Sequence, residues 1–146
     1  MKQTKLLIIF FFVLFLDQFT KYIIRANLLV KESIPVIKGI FSITYLRNTG
    51  VSFSLFKGFN LLFIFISVII FGFFVFIYLK KRKYSVQFAL IFAGIIGNLI
   101  DRILFGSVTD FFNFHVWPVF NIADSSVFIG VLWLIIILIR NNEDLF

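Results

Sequence analysis

The fold class follows from residues 59–79, which read FNLLFIFISVIIFGFFVFIYL and carry no charged side chain. A helix that crosses a bilayer needs about 20 consecutive, mostly apolar residues, and this stretch satisfies that requirement. Three other stretches do so as well, at residues 6–24, 86–105 and 122–139. The sequence therefore predicts an all-α polytopic membrane protein with four transmembrane helices.

The composition of the whole chain indicates lipid rather than water as its solvent. Of the 146 residues 61% are hydrophobic, against roughly 45–50% in ordinary soluble domains. A soluble domain of this size buries only about two-thirds of its chain's surface and has no room for so many apolar side chains. We find no internal repeat and no linker, and we expect a single membrane domain over residues 1–146.

The residue types that are missing exclude several kinds of chemistry. The chain has no cysteine, which excludes disulfides and thiol catalysis. With one histidine and two glutamates, a zinc or di-iron centre would lack most of its usual ligands. We therefore do not expect a dedicated zinc or di-iron site.

The excess of basic residues, formally +7, indicates orientation in a bilayer and contact with membrane lipid rather than binding to nucleic acid. A basic cluster, residues 80–83, lies between the second and third spans, Lys2 and Lys5 precede the first, and Arg140 follows the fourth. The positive-inside rule places these residues and both termini in the cytoplasm. The first outer loop weakens the asymmetry through five basic residues: Arg25, Lys31, Lys38, Arg47 and Lys57.

The loop between the first two spans, residues 31–57, has the pattern of β-structure. Apolar and polar residues alternate from Phe41 to Tyr45 and again from Val51 to Leu55, and the turn sequence Arg47-Asn48-Thr49-Gly50 lies between the two runs. Alternation with a period of two residues on both sides of a turn predicts a β-hairpin. We expect it outside the cytoplasm, with its apolar face on the membrane surface.

Ionisable side chains inside apolar stretches are functional candidates, because each costs a few kcal/mol or more at membrane depth. Asp17 and Lys21 lie one helical turn apart in the first span, roughly 16 Å into a core about 30 Å thick. An aspartate followed by a lysine four residues later forms a favourable pair. The two residues are interpreted first as a structural ion pair, then as contacts for a substrate headgroup, and last as direct participants in chemistry.

The third span ends in a second polar group. Gly94 and Gly97 permit the close approach of a neighbouring helix, and Asn98, Asp101 and Arg102 follow at spacings that place them on one helix face. We expect that face to point inward, because lipid would not tolerate it. The group either clamps the third span to its neighbours or binds a polar part of a substrate.

Asp110 and Asp124 are the third candidate. Asp110 follows the third span behind Gly106, and Asp124 lies in the first turn of the fourth span next to Asn121, so both are at the outer end of the bundle. Two carboxylates a few ångströms apart share a proton, so that one can activate a water while the other donates to a carbonyl. The residues alone leave alternatives open, with Asp110 as an interfacial loop residue and Asp124 as a charge at the positive start of a helix.

Five short motifs resemble those of the lipoprotein signal peptidase (signal peptidase II) family, and they occur in the family's order. They are Asp17-Gln18-Phe19-Thr20-Lys21, the stretch from Asn48 to Ser54, the stretch from Gly97 to Arg102, the stretch from Gly106 to Phe111, and the stretch from Phe120 to Ser125. Each motif alone is a weak signal, whereas five in order along four spans are specific. The resemblance covers nearly the whole chain.

The resemblance implies an aspartic endopeptidase with Asp110 and Asp124 as its catalytic pair and without metal or cofactor. Its substrate would be a bacterial prolipoprotein, cleaved on the amino side of a cysteine that already carries a diacylglyceryl group. We expect a monomer in the bacterial cytoplasmic membrane, with the site near the outer face. Supporting roles at the site are expected for eight further residues: Asp17, Lys21, Asn48, Gly50, Asn98, Asp101, Arg102 and Asn121.

A small proton-coupled membrane transporter is the main alternative, since charged residues within spans would suit one. Such a protein would carry polar residues at the midplane of several spans, whereas the second and fourth spans here have apolar midplanes. A structural or pore-forming protein is a third possibility, but it would not require carboxylates flanked by asparagines at one end of the bundle.

Overall fold

Four long helices form the body of the computed structural model, which describes residues 2–50 and 60–144. They are α1 (Lys2–Asn27), α2 (Asn60–Lys80), α3 (Ser85–Phe105) and α4 (Ile122–Arg140), and a short 3-10 turn, Arg82–Tyr84, joins α2 to α3. All four are long and apolar enough to cross a bilayer. The prediction of four spans is confirmed, and α1 extends beyond the predicted residues 6–24 at both ends.

The central helix is α3, which packs against the other three. Half of its apolar stretch is buried, against 6% for α2, so that most of the α2 surface is left for lipid. Two glycines of α3 allow the close packing that the sequence predicts. A Cβ on Gly97 would lie 2.6 Å from Oδ2 of Asp17, and one on Gly94 would overlap the carbonyl oxygen of Ala123.

A three-stranded antiparallel sheet lies at one end of the bundle. Its strands are β1 (Ser33–Ile37), β2 (Phe41–Asn48) and β3 (Val108–Asn113), in the order β1-β2-β3. The prediction of β-structure within residues 31–57 is confirmed for the run that starts at Phe41. This strand, β2, pairs with β1, to which residues 38–40 connect it. On its other edge it pairs with β3, which comes much later in the sequence. The predicted second strand, residues 51–55, lies outside the described residues.

The strand β3 is not among the elements that the sequence predicts, and it extends into the aromatic segment of residues 111–120. Only the later part of that segment is a loop, and the isolated bridge between Phe112 and Phe120 closes it. The β-favouring residues around Asp110 carry the signal that could have revealed the strand: Val108, Thr109, Phe111 and Phe112. The register matters for the site, since it sets Asp110 opposite Leu46 of β2.

Side chains from the sheet fasten it to the end of α3. The Arg47 guanidinium donates from Nη2 to the carbonyl oxygen of Phe105 (2.9 Å) and from Nε to the hydroxyl of Ser107 (3.0 Å). These bonds satisfy acceptors at a helix end that would otherwise lack partners. The end of α3 is thereby joined to the sheet that contains Asp110.

Candidate active site

The predicted polar residues of the spans collect at the sheet end of the bundle, where most of them are shielded from solvent. The side chains of Asp17, Lys21, Asp101 and Asn121 are fully buried, and Asp110 is 2% exposed. Burial at this depth requires that every polar group has a partner. In residues 2–50 and 60–144 we find no buried side-chain nitrogen or oxygen without one.

The Asp110 carboxylate, on β3, accepts one hydrogen bond on each oxygen. Asn121 Nδ2 donates to Oδ1 (2.7 Å) and Asn48 Nδ2 donates to Oδ2 (2.8 Å). Burial, together with the nearby charge of Asp124, raises the pKa of Asp110 to about 6, although the two asparagines and Lys21 act in the opposite direction. Asp110 therefore loses its proton only as the pH rises through about 6, and its carboxyl interacts electrostatically with that of Asp124.

The Asp124 carboxylate is held by a reciprocal cap at the start of α4. The Asp124 backbone N–H donates to Oδ1 of Asn121 (2.9 Å), and the Asn121 backbone N–H donates to Oδ2 of Asp124 (3.2 Å). Asn98 Nδ2 of α3 donates to the other oxygen, Oδ1, over 2.7 Å. The position in the first turn also favours a negative charge through the helix dipole.

The amide of Asn48 is oriented toward Asp110 by its own neighbour. The backbone N–H of Gly50 donates to Oδ1 of Asn48 (2.8 Å), which leaves the NH2 group to face the carboxylate. Gly50 has a positive φ of 95°, a backbone conformation that favours glycine, and a Cβ there would overlap the Phe63 ring. The expected supporting position of Gly50 thus corresponds to a turn that orients Asn48.

The predicted ion pair between Asp17 and Lys21 is present, and it belongs to a larger buried network. Lys21 Nζ lies 2.9 Å from Oδ2 of Asp17 and 3.7 Å from Oδ2 of Asp101. It also donates to Oδ1 of Asn98 over 2.9 Å. The polar face predicted on α3 thus contacts α1 through Lys21, in keeping with the clamp interpretation.

Two residues of this network were missed by the sequence reasoning. Arg25, which had been counted among the charges of the outer loop, lies in the last turn of α1, 3.3 Å from Oδ1 of Asp101. Its Nη1 also donates to the hydroxyl of Thr109 (3.0 Å), whose backbone N–H donates to Oδ2 of Asp101 (2.8 Å). Asp101 therefore ties α1 to the beginning of β3. The spacing gave no signal for this, because the contact joins residues far apart in the chain.

A cleft on the lipid-facing side, of about 570 Å³, lies among α2, α3 and α4, and we call it the membrane-side cleft. Three polar side chains line one part of it, namely Asn98, Arg102 and Asp124, and most of the remaining lining is apolar. The Arg102 guanidinium lies 5.5 Å from the centre of the Phe63 ring. The described residues include no hydrogen-bond acceptor for its side chain.

A second cleft, of about 400 Å³, lies beside the sheet and is called the sheet-side cleft. It is lined by residues 46–49 of β2 and the turn after it, by Asp110, and by Pro118 and Val119. The two carboxylates therefore face different clefts, since Asp124 lines the membrane-side cleft. A chain that passed from one cleft to the other would pass the carboxylate pair.

The chemistry available here is that of an acid and a base held side by side. One carboxyl has a pKa of about 6, and four hydrogen bonds from asparagines fix the two groups: three from side-chain amides and one from the Asn121 backbone N–H in the cap. Within the described part of the chain, we find no group of three or more His, Asp or Glu side chains placed to hold a metal ion. The arrangement can activate a water between two carboxyl groups.

Comparison with known families gives a match over most of the chain. The sequence model of the family described as signal peptidase (SPase) II matches residues 9–140. The lipoprotein signal peptidase of Halothermothrix orenii is 44% identical over 139 residues, covering 93% of this chain and 96% of the relative. That of Staphylococcus aureus (strain JH9) is 40% identical over 149 residues, covering 97% and 91% respectively.

Solved structures agree with the sequence comparison. A bacterial membrane enzyme determined at 2.3 Å resolution superposes with a TM-score of 0.84 at 37% sequence identity, covering 94% of this chain and 88% of the other. A second, determined at 1.9 Å, gives a TM-score of 0.83 at 38% identity and covers 91% of both chains. The similarity thus extends over the four helices and the sheet together.

Proposed function

The chain belongs to the signal peptidase II family, and on that premise we propose that it removes signal peptides from diacylglyceryl-modified prolipoproteins. It is a multi-pass bacterial membrane protein and an aspartic-type peptidase. The cut would fall on the amino side of the lipidated cysteine. The observation that carries the proposal is the carboxylate pair, held by asparagines, with one member facing each of two clefts.

Asp110 and Asp124 would divide the acid and base work. Asp124, ionised, takes a proton from a water whose oxygen attacks the scissile carbonyl carbon, while protonated Asp110 donates to the carbonyl oxygen. When the tetrahedral intermediate collapses, the C–N bond breaks, the amine of the lipidated cysteine leaves with the proton held by Asp124, and one hydroxyl of the intermediate returns a proton to Asp110. The raised pKa of Asp110 supports this division, because it keeps the acid protonated up to about pH 6.

The membrane-side cleft suits the signal peptide. Its lining is mostly apolar and lies among three spans, so an apolar helix could reach it from within the bilayer. Arg102, which lines the cleft near Asp124, would donate hydrogen bonds to backbone carbonyl groups close to the scissile bond. The acyl chains could remain in lipid, while residues beyond the cysteine would lie in the sheet-side cleft.

The decisive experiment is cleavage by the detergent-solubilised protein of a signal-peptide substrate with and without diacylglyceryl on its cysteine. We expect the lipidated form alone to be cut, and mass spectrometry should find the new amino terminus at the cysteine. Asp110→Asn and Asp124→Asn should each abolish cleavage while the protein still inserts and elutes as a single species. Lys81→Gln, at the opposite end of the bundle, is the matched control and should turn over normally.

Either of two outcomes would overturn the proposal. Normal turnover by one aspartate variant would remove that residue from the catalytic pair. A well-folded wild type that cuts neither substrate would favour the proton-coupled transporter instead, with Asp17 and Lys21 as the residues to test next.

We also infer that both termini face the cytoplasm and that the sheet end of the bundle faces outward. The chain contains no cysteine, so single cysteines can be introduced without removing any other. A membrane-impermeant maleimide should label Lys38→Cys on intact cells and Arg82→Cys only after lysis, since both positions are exposed at opposite ends of the bundle. The reverse labelling pattern would invert the topology.

A monomer would suffice for this activity. The groups that hold the two carboxylates all come from one chain, so no second subunit is needed to complete the site. Light scattering on the detergent-solubilised protein should give the mass of one chain of 17.1 kDa after subtraction of the micelle. The proposal would be contradicted if the protein had the mass of two chains and its activity fell on dilution together with the fraction of that dimer.

A further inference from the structure

Lys21 is a fully buried lysine that the proposed chemistry does not use. Its ammonium contacts three groups: Asp17 Oδ2 at 2.9 Å, Asn98 Oδ1 at 2.9 Å, and Asp101 Oδ2 at 3.7 Å. Its charge is one of two that balance the buried carboxylates, since Arg25 also pairs with Asp101. Charge balance alone does not require the bond to Asn98, so that contact points to a further role.

Two donors set which way the Asn98 amide points: Lys21 Nζ donates to its Oδ1 over 2.9 Å, and Asn121 Nδ2 donates to the same oxygen over 3.1 Å. An ammonium can only donate, so the amide oxygen must face Lys21 and the NH2 group must face away from it. In that orientation Asn98 Nδ2 donates to Oδ1 of Asp124 over 2.7 Å. The reversed amide would set NH2 against the ammonium and oxygen against the carboxylate, and both contacts would be repulsive.

We propose that Lys21 is a positioning residue, which acts through the Asn98 amide to hold the Asp124 carboxylate in its working orientation. The inference rests on the proposed role of Asp124 as the base. Lys21 lines neither cleft and is 0% exposed, so it does not touch substrate. Asn98 lines the membrane-side cleft and touches both residues, which makes it the connection between them.

The test uses a variant in which the buried charges remain balanced. Lys21→Met alone would leave Asp17 without its cation, so we combine it with Asp17→Asn, whose amide oxygen can still accept from the Ala123 backbone N–H that bonds Asp17 Oδ1 over 2.8 Å. Asp101 then still has Arg25 at 3.3 Å and the Thr109 backbone N–H at 2.8 Å. The matched control is Thr20→Val in the same helix, because the Thr20 hydroxyl donates only to main-chain carbonyls of its own turn.

The first readout does not depend on cleavage. In the substrate-free protein labelled with 15N-asparagine, hydrogen exchange of the Asn98 NH2 group is measured by NMR, and its signal is assigned by its loss in Asn98→Ala. We expect exchange to be about tenfold or more faster in the Lys21→Met, Asp17→Asn variant than in wild type and Thr20→Val. Unchanged exchange would overturn the proposed link between Lys21 and Asn98.

The second readout is turnover of the diacylglyceryl-modified signal peptide. We expect kcat to fall by about 10- to 100-fold, with KM within about twofold of wild type, as for other residues that orient a catalytic group. Adding Asn98→Ala should cause no further loss, because both changes break the same connection. The positioning role would be overturned if adding Asn98→Ala lowered kcat by a further factor, or if kcat were unchanged in the Lys21→Met, Asp17→Asn variant. If the wild type cuts nothing, the proposed function fails, and the exchange measurement alone decides the link.

Discussion

Both ends of the bundle contain ion pairs between basic and acidic side chains, but the pairs at one end are buried and those at the other are partly exposed to solvent. At the sheet end, Lys21 contacts Asp17 and Asp101, and all three side chains are 0% exposed. At the other end Glu143, beyond α4, contacts Lys83, whose side chain is 49% exposed, and accepts a bond from the hydroxyl of Tyr84. Water screens the second set and not the first. The same residue types therefore organise a site at one end and only fasten the segment that follows α4 at the other.

The largest difference between the two ends should appear in stability when one lysine charge is removed from each. Lys21→Met leaves buried carboxylates unbalanced, and we expect a loss of about 3–5 kcal/mol in the free energy of unfolding, enough to prevent purification of a folded protein. Lys83→Met should leave the thermal midpoint in detergent essentially unchanged, because its charge is solvated. Similar losses from both substitutions would refute the distinction between the two ends.

Close packing at the sheet end gives the second largest effect. A Cβ at Gly97 would lie 2.6 Å from Oδ2 of Asp17, so Gly97→Ala must displace that carboxylate from its partners. We expect a loss of about 1–3 kcal/mol, the usual cost of an overpacked contact. Gly72→Ala in α2 is the control, since within the described residues no atom outside its own stretch of helix lies within 4 Å of the added methyl group, and its thermal midpoint should match wild type. A Gly97→Ala protein as stable as the control would mean that this contact is loose.

The titration of Asp110 tests whether the carboxylates act as a pair. Burial raises the pKa of Asp110 to about 6, and the charge of Asp124 is the second cause. The infrared band of its protonated carboxyl should persist below pH 6 and disappear as the pH rises through that value. In Asp124→Asn the second cause is absent, so the band should disappear at a lower pH. A band that titrates at the same pH in both proteins would show that the two groups do not interact.

The features that local sequence determines were predicted well. A span requires only a sufficient length of apolar residues, so the four helices could be located from composition. The pair Asp17–Lys21 follows from a spacing of one helical turn, which needs no knowledge of the rest of the chain. The glycines at 94 and 97 likewise predicted close contact on one face of α3.

What the sequence could not supply depends on contacts between distant parts of the chain. The register of β3 against β2 sets Asp110 opposite Leu46, and no local pattern encodes a pairing across 60 or so residues. Pro35 lies within β1, although a proline in the sequence argues against a strand. The proline is tolerated because β1 is an edge strand, where its missing N–H is not needed for pairing. Arg25 could not be assigned to Asp101 for the same reason, since its helix had to be placed beside α3 first.

The smallest expected effect belongs to the exposed contacts of Glu143. Its bonds from Lys83 and Tyr84 lower the pKa of Glu143, so any stability that they give is present above pH 4.5 and is lost as the pH falls further. Glu143→Gln should lower the thermal midpoint by about 2 °C or less at pH 7, and the difference should vanish in about 1 M salt, where the Debye length is about 3 Å. Cleavage should be unaffected, because Glu143 lies at the far end of the bundle from Asp124. A loss of activity in this variant would mean that the two ends are coupled through α4, and a large salt-independent loss of stability would mean that this contact is shielded as the buried network is.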